Sequence, residues 1–88
     1  MPRVWGADLY VLEMEGLCKV GRSMDVERRL REHRRSQPWS DIRLIAVFEG
    51  AGFVESAALR ALHAFPRRGE WVQCTPRDAL RAVADCLV

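Results

Sequence analysis

The first patterned stretch of the chain is Asp8-Leu9-Tyr10-Val11-Leu12-Glu13. Its spacing predicts a strand from Asp8 to Glu13, with Leu9 and Val11 on one face and Tyr10 and Leu12 on the other. Met14-Glu15-Gly16 supplies a turn in which Gly16 is free to take positive φ, and Leu17 to Gly21 reads as a second strand, so the two form a hairpin. Ser23 can then cap a helix from about Met24 to Ser36. Asp25 and Glu27 favour its positive end, Val26 and Leu30 give it a narrow apolar stripe, and Pro38 ends it. Ile42 to Glu49 alternates and is rich in branched residues, which predicts a third strand.

Gly52 opens a second helical pattern, with Val54, Ala58, Ala61, Leu62 and Phe65 at core-facing spacing, and Pro66-Arg67-Arg68-Gly69 stops it. Glu70 to Cys74 reads as a short extended piece. Thr75-Pro76-Arg77-Asp78 is a capping box with proline at the first helical position, and Leu80, Val83, Ala84 and Leu87 form the expected buried stripe of a last helix. The order predicts an α/β (α+β) fold: a small three-stranded antiparallel sheet flanked by about three helices, as a single domain over residues 1–88.

Composition narrows the class. At 88 residues, 49% hydrophobic and 30% charged, the chain reads as one globular unit with a modest core. No apolar run approaches the ~20 residues of a membrane helix. The start, Met1-Pro2-Arg3-Val4-Trp5, lacks a signal-peptide pattern, so a cytoplasmic protein without membrane contact is expected. Three cysteines, Cys18, Cys74 and Cys86, show no CxxC spacing and sit among apolar residues, so buried thiols are expected rather than disulfides or a zinc site. The net charge of +2 argues little. Its make-up argues more, because thirteen of the fourteen basic residues are arginine, whose forked guanidinium suits phosphate oxygens.

The ordered residues Asp8-Leu9-Tyr10, Lys19-Val20-Gly21-Arg22-Ser23, Arg29 in the first helix, Glu55 in the second and Gly69-Glu70-Trp71 together resemble the GIY-YIG nuclease superfamily. The match is closest to its phage-type branch, whose second signature reads Lys-Ile-Gly. The resemblance covers roughly residues 8–72. It implies a metal-dependent endonuclease hydrolysing DNA phosphodiester bonds, with Tyr10, Lys19, Arg29 and Glu55 as catalytic residues, Glu55 as ligand of Mg²⁺ or Mn²⁺, and Gly21, Glu70 and Trp71 in support. The chain departs from the pattern in three places. Asp8 replaces the first glycine, Leu59 stands where the branch usually has a histidine, and the closing asparagine has no counterpart.

Each residue also has a plainer reading. Glu55 lies beside the apolar stripe of its helix, where it could equally be solvated or paired with an arginine. Tyr10 could orient or deprotonate a water if a cation such as Lys19 lowers its pKa, or could sit at the core edge with its hydroxyl in water. Lys19 could instead hold phosphate, or be solvated. Arg29 falls at the boundary of the buried helix face, where it could meet phosphate or pair with a carboxylate. Arg22, Arg28, Arg31, His33, Arg34 and Arg35 are candidate DNA-binding residues tracking the backbone without reading bases, or else a solvated face with a Glu27–Arg31 pair. His33 could relay a proton, whereas His63 is taken as structural. Trp71 should be core. Glu70 could hold Arg29 or Lys19, or be a second acidic ligand. Trp5 and Trp39 could stack on bases.

DNA is thus the expected partner, with specificity supplied by a homodimer or another protein. The alternatives are a nucleic-acid-binding module without turnover, and a small-molecule hydrolase or transferase using the same pocket.

Overall fold

A computed structural model describes residues 6–87. The elements run β1 (Asp8–Met14), β2 (Leu17–Ser23), α1 (Val26–Ser36), β3 (Arg43–Phe48), a 3₁₀ turn over Gly52–Val54 that leads into α2 (Glu55–Ala61), β4 (Arg67–Arg68), β5 (Trp71–Val72) and α3 (Pro76–Leu87). Among the described residues the strands make one antiparallel sheet of five, ordered β3-β1-β2-β5-β4, in place of the expected three. The additional pair is a small hairpin. Pro66-Arg67-Arg68-Gly69 not only stops a helix but also supplies β4, and Gly69 turns the chain at φ +62° into β5.

β1 lies between β2 and β3 because it is apolar on both sides. Leu9, Tyr10, Val11, Leu12 and Met14 are all buried. Leu9 and Val11 join Cys18, Val20 and Val72 under Ala58 and Leu62 of the α2 segment and Ala79, Ala82 and Val83 of α3. Tyr10, Leu12 and Met14 join Val26, Ile42 and Trp71 on the opposite face, where α1 is the covering helix and Leu30 packs at the edge. Burying each large aliphatic side chain is worth about 1.5–3 kcal/mol, so both faces contribute to stability. The β1–β2 turn places Glu15 and Gly16 at φ 50° and 81°.

The helices differ from expectation at their ends and faces. Asp25, not Ser23, caps α1: its Oδ1 accepts from the Arg28 N–H at 3.1 Å, while the Ser23 hydroxyl folds onto the Asp25 backbone. α2 ends at Ala61, with Ala61 exposed and Phe65 beyond the helix, only partly buried. In α3 the capping box forms as expected, with Thr75 N–H to Asp78 Oδ2 and Asp78 N–H to Thr75 Oγ1, both 3.1 Å. Its buried face, however, is Ala79, Ala82 and Val83 rather than Leu80, Val83, Ala84 and Leu87. Small residues on the sheet side let the helix approach closely, which leaves the larger leucines at its flanks.

Candidate functional site

The ring of Tyr10 passes over Gly21, its partner across the β1–β2 ladder. A Cβ at Gly21 would stand 2.5 Å from both Tyr10 Cζ and Oη, so the absence of a side chain is what allows the ring its place. The phenol reaches α1, where Oη lies 3.2 Å from His33 Nε2. The His33 ring in turn meets Trp71 edge-on, with centroids 6.2 Å apart. Arg29 lies one turn earlier on α1. The neighbouring Tyr10 hydroxyl is the largest cause of its raised pKa, ahead of Glu32, to which its Nη1 donates at 3.0 Å.

Lys19 faces the same side of the sheet, opposite Leu12 in the ladder. It is 7% exposed, a charge nearly withdrawn from water, and its Nζ lies 2.5 Å from Glu70 Oε1. The Glu70 side chain is 72% exposed at the start of β5, so a buried cation is neutralised by an anion standing in solvent. Hydrogen bonding to Lys19 holds the Glu70 carboxyl below its usual range. His33 is pushed down from its ordinary pKa chiefly by burial, then by the charges of Lys19 and Arg29, against a weaker upward pull from Glu70 and Glu32. It is therefore neutral at pH 7, and its Nε2 can accept the Tyr10 hydroxyl hydrogen.

Of these, Arg29, Glu32, His33, Glu70 and Trp71 border a cleft of about 530 Å³. One wall is α1, with Arg29, Glu32, His33, Ser36 and Gln37; the other is the β4–β5 hairpin, with Arg68, Gly69, Glu70 and Trp71. Arg68 did not stand out in the sequence. Its only signal was adjacency to Gly69-Glu70-Trp71, and only the hairpin brings it opposite α1.

The structure thus gathers Tyr10, Lys19, Gly21, Arg29, His33, Glu70 and Trp71. It sets Glu55 apart. Glu55 opens α2, and its Oε1 lies 3.4 Å from Arg22 Nε. Arg22 is adjacent to Gly21, so this pair flanks the Tyr10 end of the sheet from the side covered by α2. The remaining arginines divide. Arg34 donates twice to the Ile42 carbonyl, at 3.2 and 2.9 Å. Arg28 and Arg29 share Glu32, in place of the expected Glu27–Arg31 pair. Arg31 and Arg35 are exposed. His63 caps the Arg60 carbonyl at the surface. Trp39 is exposed, and Trp5 lies outside the described residues.

The cysteines belong to the framework. Cys18 and Cys74 are buried and unbridged, and burial, aided by Cys74, pushes the Cys18 thiol up to about 12. A thiol so hard to ionise is no nucleophile.

A family model described as the T5orf172 domain matches residues 8–87, from the first residue of β1 to the last of α3. The chain belongs to the T5orf172 domain family. Domains of this family occur in phage-type endonucleases and are associated with nuclease-like and DNA-binding activity. Neither a curated protein nor a solved structure matches the chain. In this T5orf172 domain no described helix is long and apolar enough to cross a membrane. Among the described residues no group of three or more His, Cys, Asp or Glu side chains could hold a metal ion.

Proposed function

We propose that the chain is a nuclease of the GIY-YIG type that hydrolyses phosphodiester bonds of DNA, with Tyr10, Lys19, Arg29 and Glu55 as its working residues. The Tyr10 hydroxyl carries this reading. A buried phenol whose oxygen sits beside a neutral imidazole and a guanidinium, both of which line the cleft, has more polar company than packing requires.

A DNA phosphate entering the cleft meets Arg29 and Arg68 on its walls, and Lys19 reaches that wall through its pair with Glu70, so the phosphate competes with Glu32 and Glu70 for these cations. Tyr10 donates its hydroxyl hydrogen to His33, which leaves a lone pair of Oη directed at an incoming water. As that water attacks phosphorus, its proton moves to Tyr10 Oη while the phenol proton passes to His33 Nε2. The P–O bond opposite the water breaks, and the leaving oxygen takes its proton from solvent.

A divalent ion fits this site only in company with substrate. Glu55 is the one carboxylate at this end of the sheet placed by the resemblance. Its Arg22 contact, at 3.4 Å, is longer than a good hydrogen bond and leaves it able to turn to a metal. Mg²⁺ is commonly bound by one or two carboxylates together with phosphate oxygens and waters. When bound, the ion would supply further stabilisation of charge on the phosphoryl oxygens.

The second reading, a DNA-binding module without turnover, draws support from the same Arg22–Glu55 pair, which keeps Glu55 away from the Tyr10 cluster. One experiment separates the two. Single- and double-stranded DNA is incubated with the protein with Mg²⁺, with Mn²⁺ and without metal, and the Glu55→Gln variant is run alongside. The nuclease reading expects metal-dependent cleavage that Glu55→Gln abolishes while fold and DNA affinity persist. Binding without cleavage under any divalent metal establishes the module instead.

A further inference from the structure

Two of the most exposed large apolar side chains stand at the Tyr10 end of the sheet. Phe53 is 77% exposed in the 3₁₀ turn before α2, and Met24 is 69% exposed in the connection from β2 to α1. They are 29 positions apart in sequence, but the Arg22–Glu55 ion pair ties their loops together, each partner lying two residues from one of them. Met24 also shares a shallow cleft of about 250 Å³ with Arg28 and Arg29, together with Asp25 and Glu32. Neither side chain belongs to a core cluster. An exposed aromatic ring whose loop is tied through Glu55 to the Arg22 guanidinium, together with a methionine beside Arg28 and Arg29, has the composition of a stacking platform: cations to track the backbone and flat or polarisable apolar groups to receive bases.

We propose that Phe53 and Met24 stack on unpaired bases flanking the phosphate held at the Tyr10 end. The substrate class is then single-stranded or locally unpaired nucleic acid rather than intact duplex. This rests on the reading that the site engages the DNA backbone. Bases in a duplex are already stacked on each other and offer no free face, whereas every unpaired base has one, so the contact selects for strand state and tolerates sequence. Trp39, 80% exposed beyond the far end of α1, lies away from this end and is not part of the platform.

The test is equilibrium binding, read by fluorescence anisotropy in EDTA so that nothing is cut. A labelled 12-mer is used alone and as duplex, with wild-type protein and with Phe53→Ala, Phe53→Leu, Met24→Ala and Trp39→Ala. Both platform residues are exposed, so these variants should fold, and circular dichroism checks that they do. Wild type should bind the single strand more tightly than the duplex. Phe53→Ala should weaken single-strand binding by about tenfold or more, while duplex binding stays within about twofold. Phe53→Leu should recover little of the loss, because it restores apolar area but no ring. Met24→Ala should give a smaller loss and Trp39→Ala none. Undiminished single-strand affinity in Phe53→Ala, or an equal fall for both forms of DNA, overturns the platform and leaves the DNA-directed reading intact. Wild type that binds neither form overturns both.

Discussion

The two faces of the sheet are built from the same strands and do different work. The face under α2 and α3 is closed by aliphatic, alanine and cysteine side chains, with Leu9, Val11, Cys18, Val20 and Val72 as its floor. The face under α1 alternates with it residue by residue. It carries Tyr10 and Leu12 from β1, Lys19 and Gly21 from β2, and Trp71 from β5, and a single narrow helix covers it. α1 has only one buried residue, Val26, so it cannot close that face. The uncovered part is the cleft. A strand's two-residue period thus lets one segment carry framework and chemistry at once, and substitution at adjacent positions should separate them.

The largest effect is expected from Leu9→Ala. Removing a fully buried leucine from the dry face should cost about 2–5 kcal/mol, a large share of what a domain of this size can hold, so the midpoint of urea unfolding should fall steeply. Tyr10→Phe, one residue along, keeps the ring and deletes a hydroxyl bonded to His33. It should cost about 1 kcal/mol in the same experiment, yet remove most of any cleavage activity. If Tyr10→Phe destabilises as much as Leu9→Ala, the division between the faces is wrong.

A second substitution sharpens the contrast at the point where the phenol rests. Gly21→Ala puts a methyl 2.5 Å from Tyr10 Cζ and Oη, and the ring, held by His33, must move. The expected cost is about 1–3 kcal/mol, typical of forced repacking. In a Tyr10→Ala background the obstacle is gone, and Gly21→Ala should be neutral or slightly stabilising through the reduced freedom of the unfolded chain. A double-mutant cycle in urea measures the difference. Equal costs in both backgrounds would mean that Gly21 is needed for its backbone and not for the ring.

Sequence alone reveals the framework face and half of the site. The alternation of Leu9 and Val11 against Tyr10 and Leu12 is plain, because period two is unambiguous in a strand, and Thr75-Pro76-Arg77-Asp78 is a local device that depends on nothing distant. The β4–β5 hairpin is not legible. Two-residue strands carry no period, and the pairing of Cys18 with Val72 that docks β5 spans 54 positions. Glu70 is legible as a holder of Arg29 or Lys19, which its contact with Lys19 bears out, but the choice between the two is hidden for the same reason. Tyr10 looks like the natural neighbour of Lys19 from the hairpin alone, whereas Glu70, 51 positions away, takes the ammonium, and the phenol turns to His33 and Arg29. The face of α3 is misread because leucine size suggests burial, while the residues turned most fully to the sheet are Ala79, Ala82 and Val83 and Leu80 packs only at the flank.

The smallest effect concerns pH and belongs to the cleft face alone. His33 has a folded pKa below its unfolded one, since burial, Lys19 and Arg29 all oppose its charge. As pH falls through the unfolded value, near 6.5, the unfolded chain takes up a proton that the folded chain refuses. The contribution of His33 to stability is thus full above that pH and is lost as pH falls toward its folded pKa. Glu70 acts in a separate and more acid window. Its folded pKa is depressed by Lys19, so its contribution is present above the unfolded carboxyl value and lost as pH falls through the folded one. Unfolding free energy measured from pH 8 to 5 should therefore show a shallow decline that His33→Gln flattens and Glu70→Gln leaves in place. The dry face offers no counterpart there, because its titratable thiols, Cys18 and Cys74, are raised rather than lowered and act only in alkali. A decline that persists unchanged in His33→Gln would mean that His33 is not its source and that the fold does not hold the imidazole below its ordinary pKa.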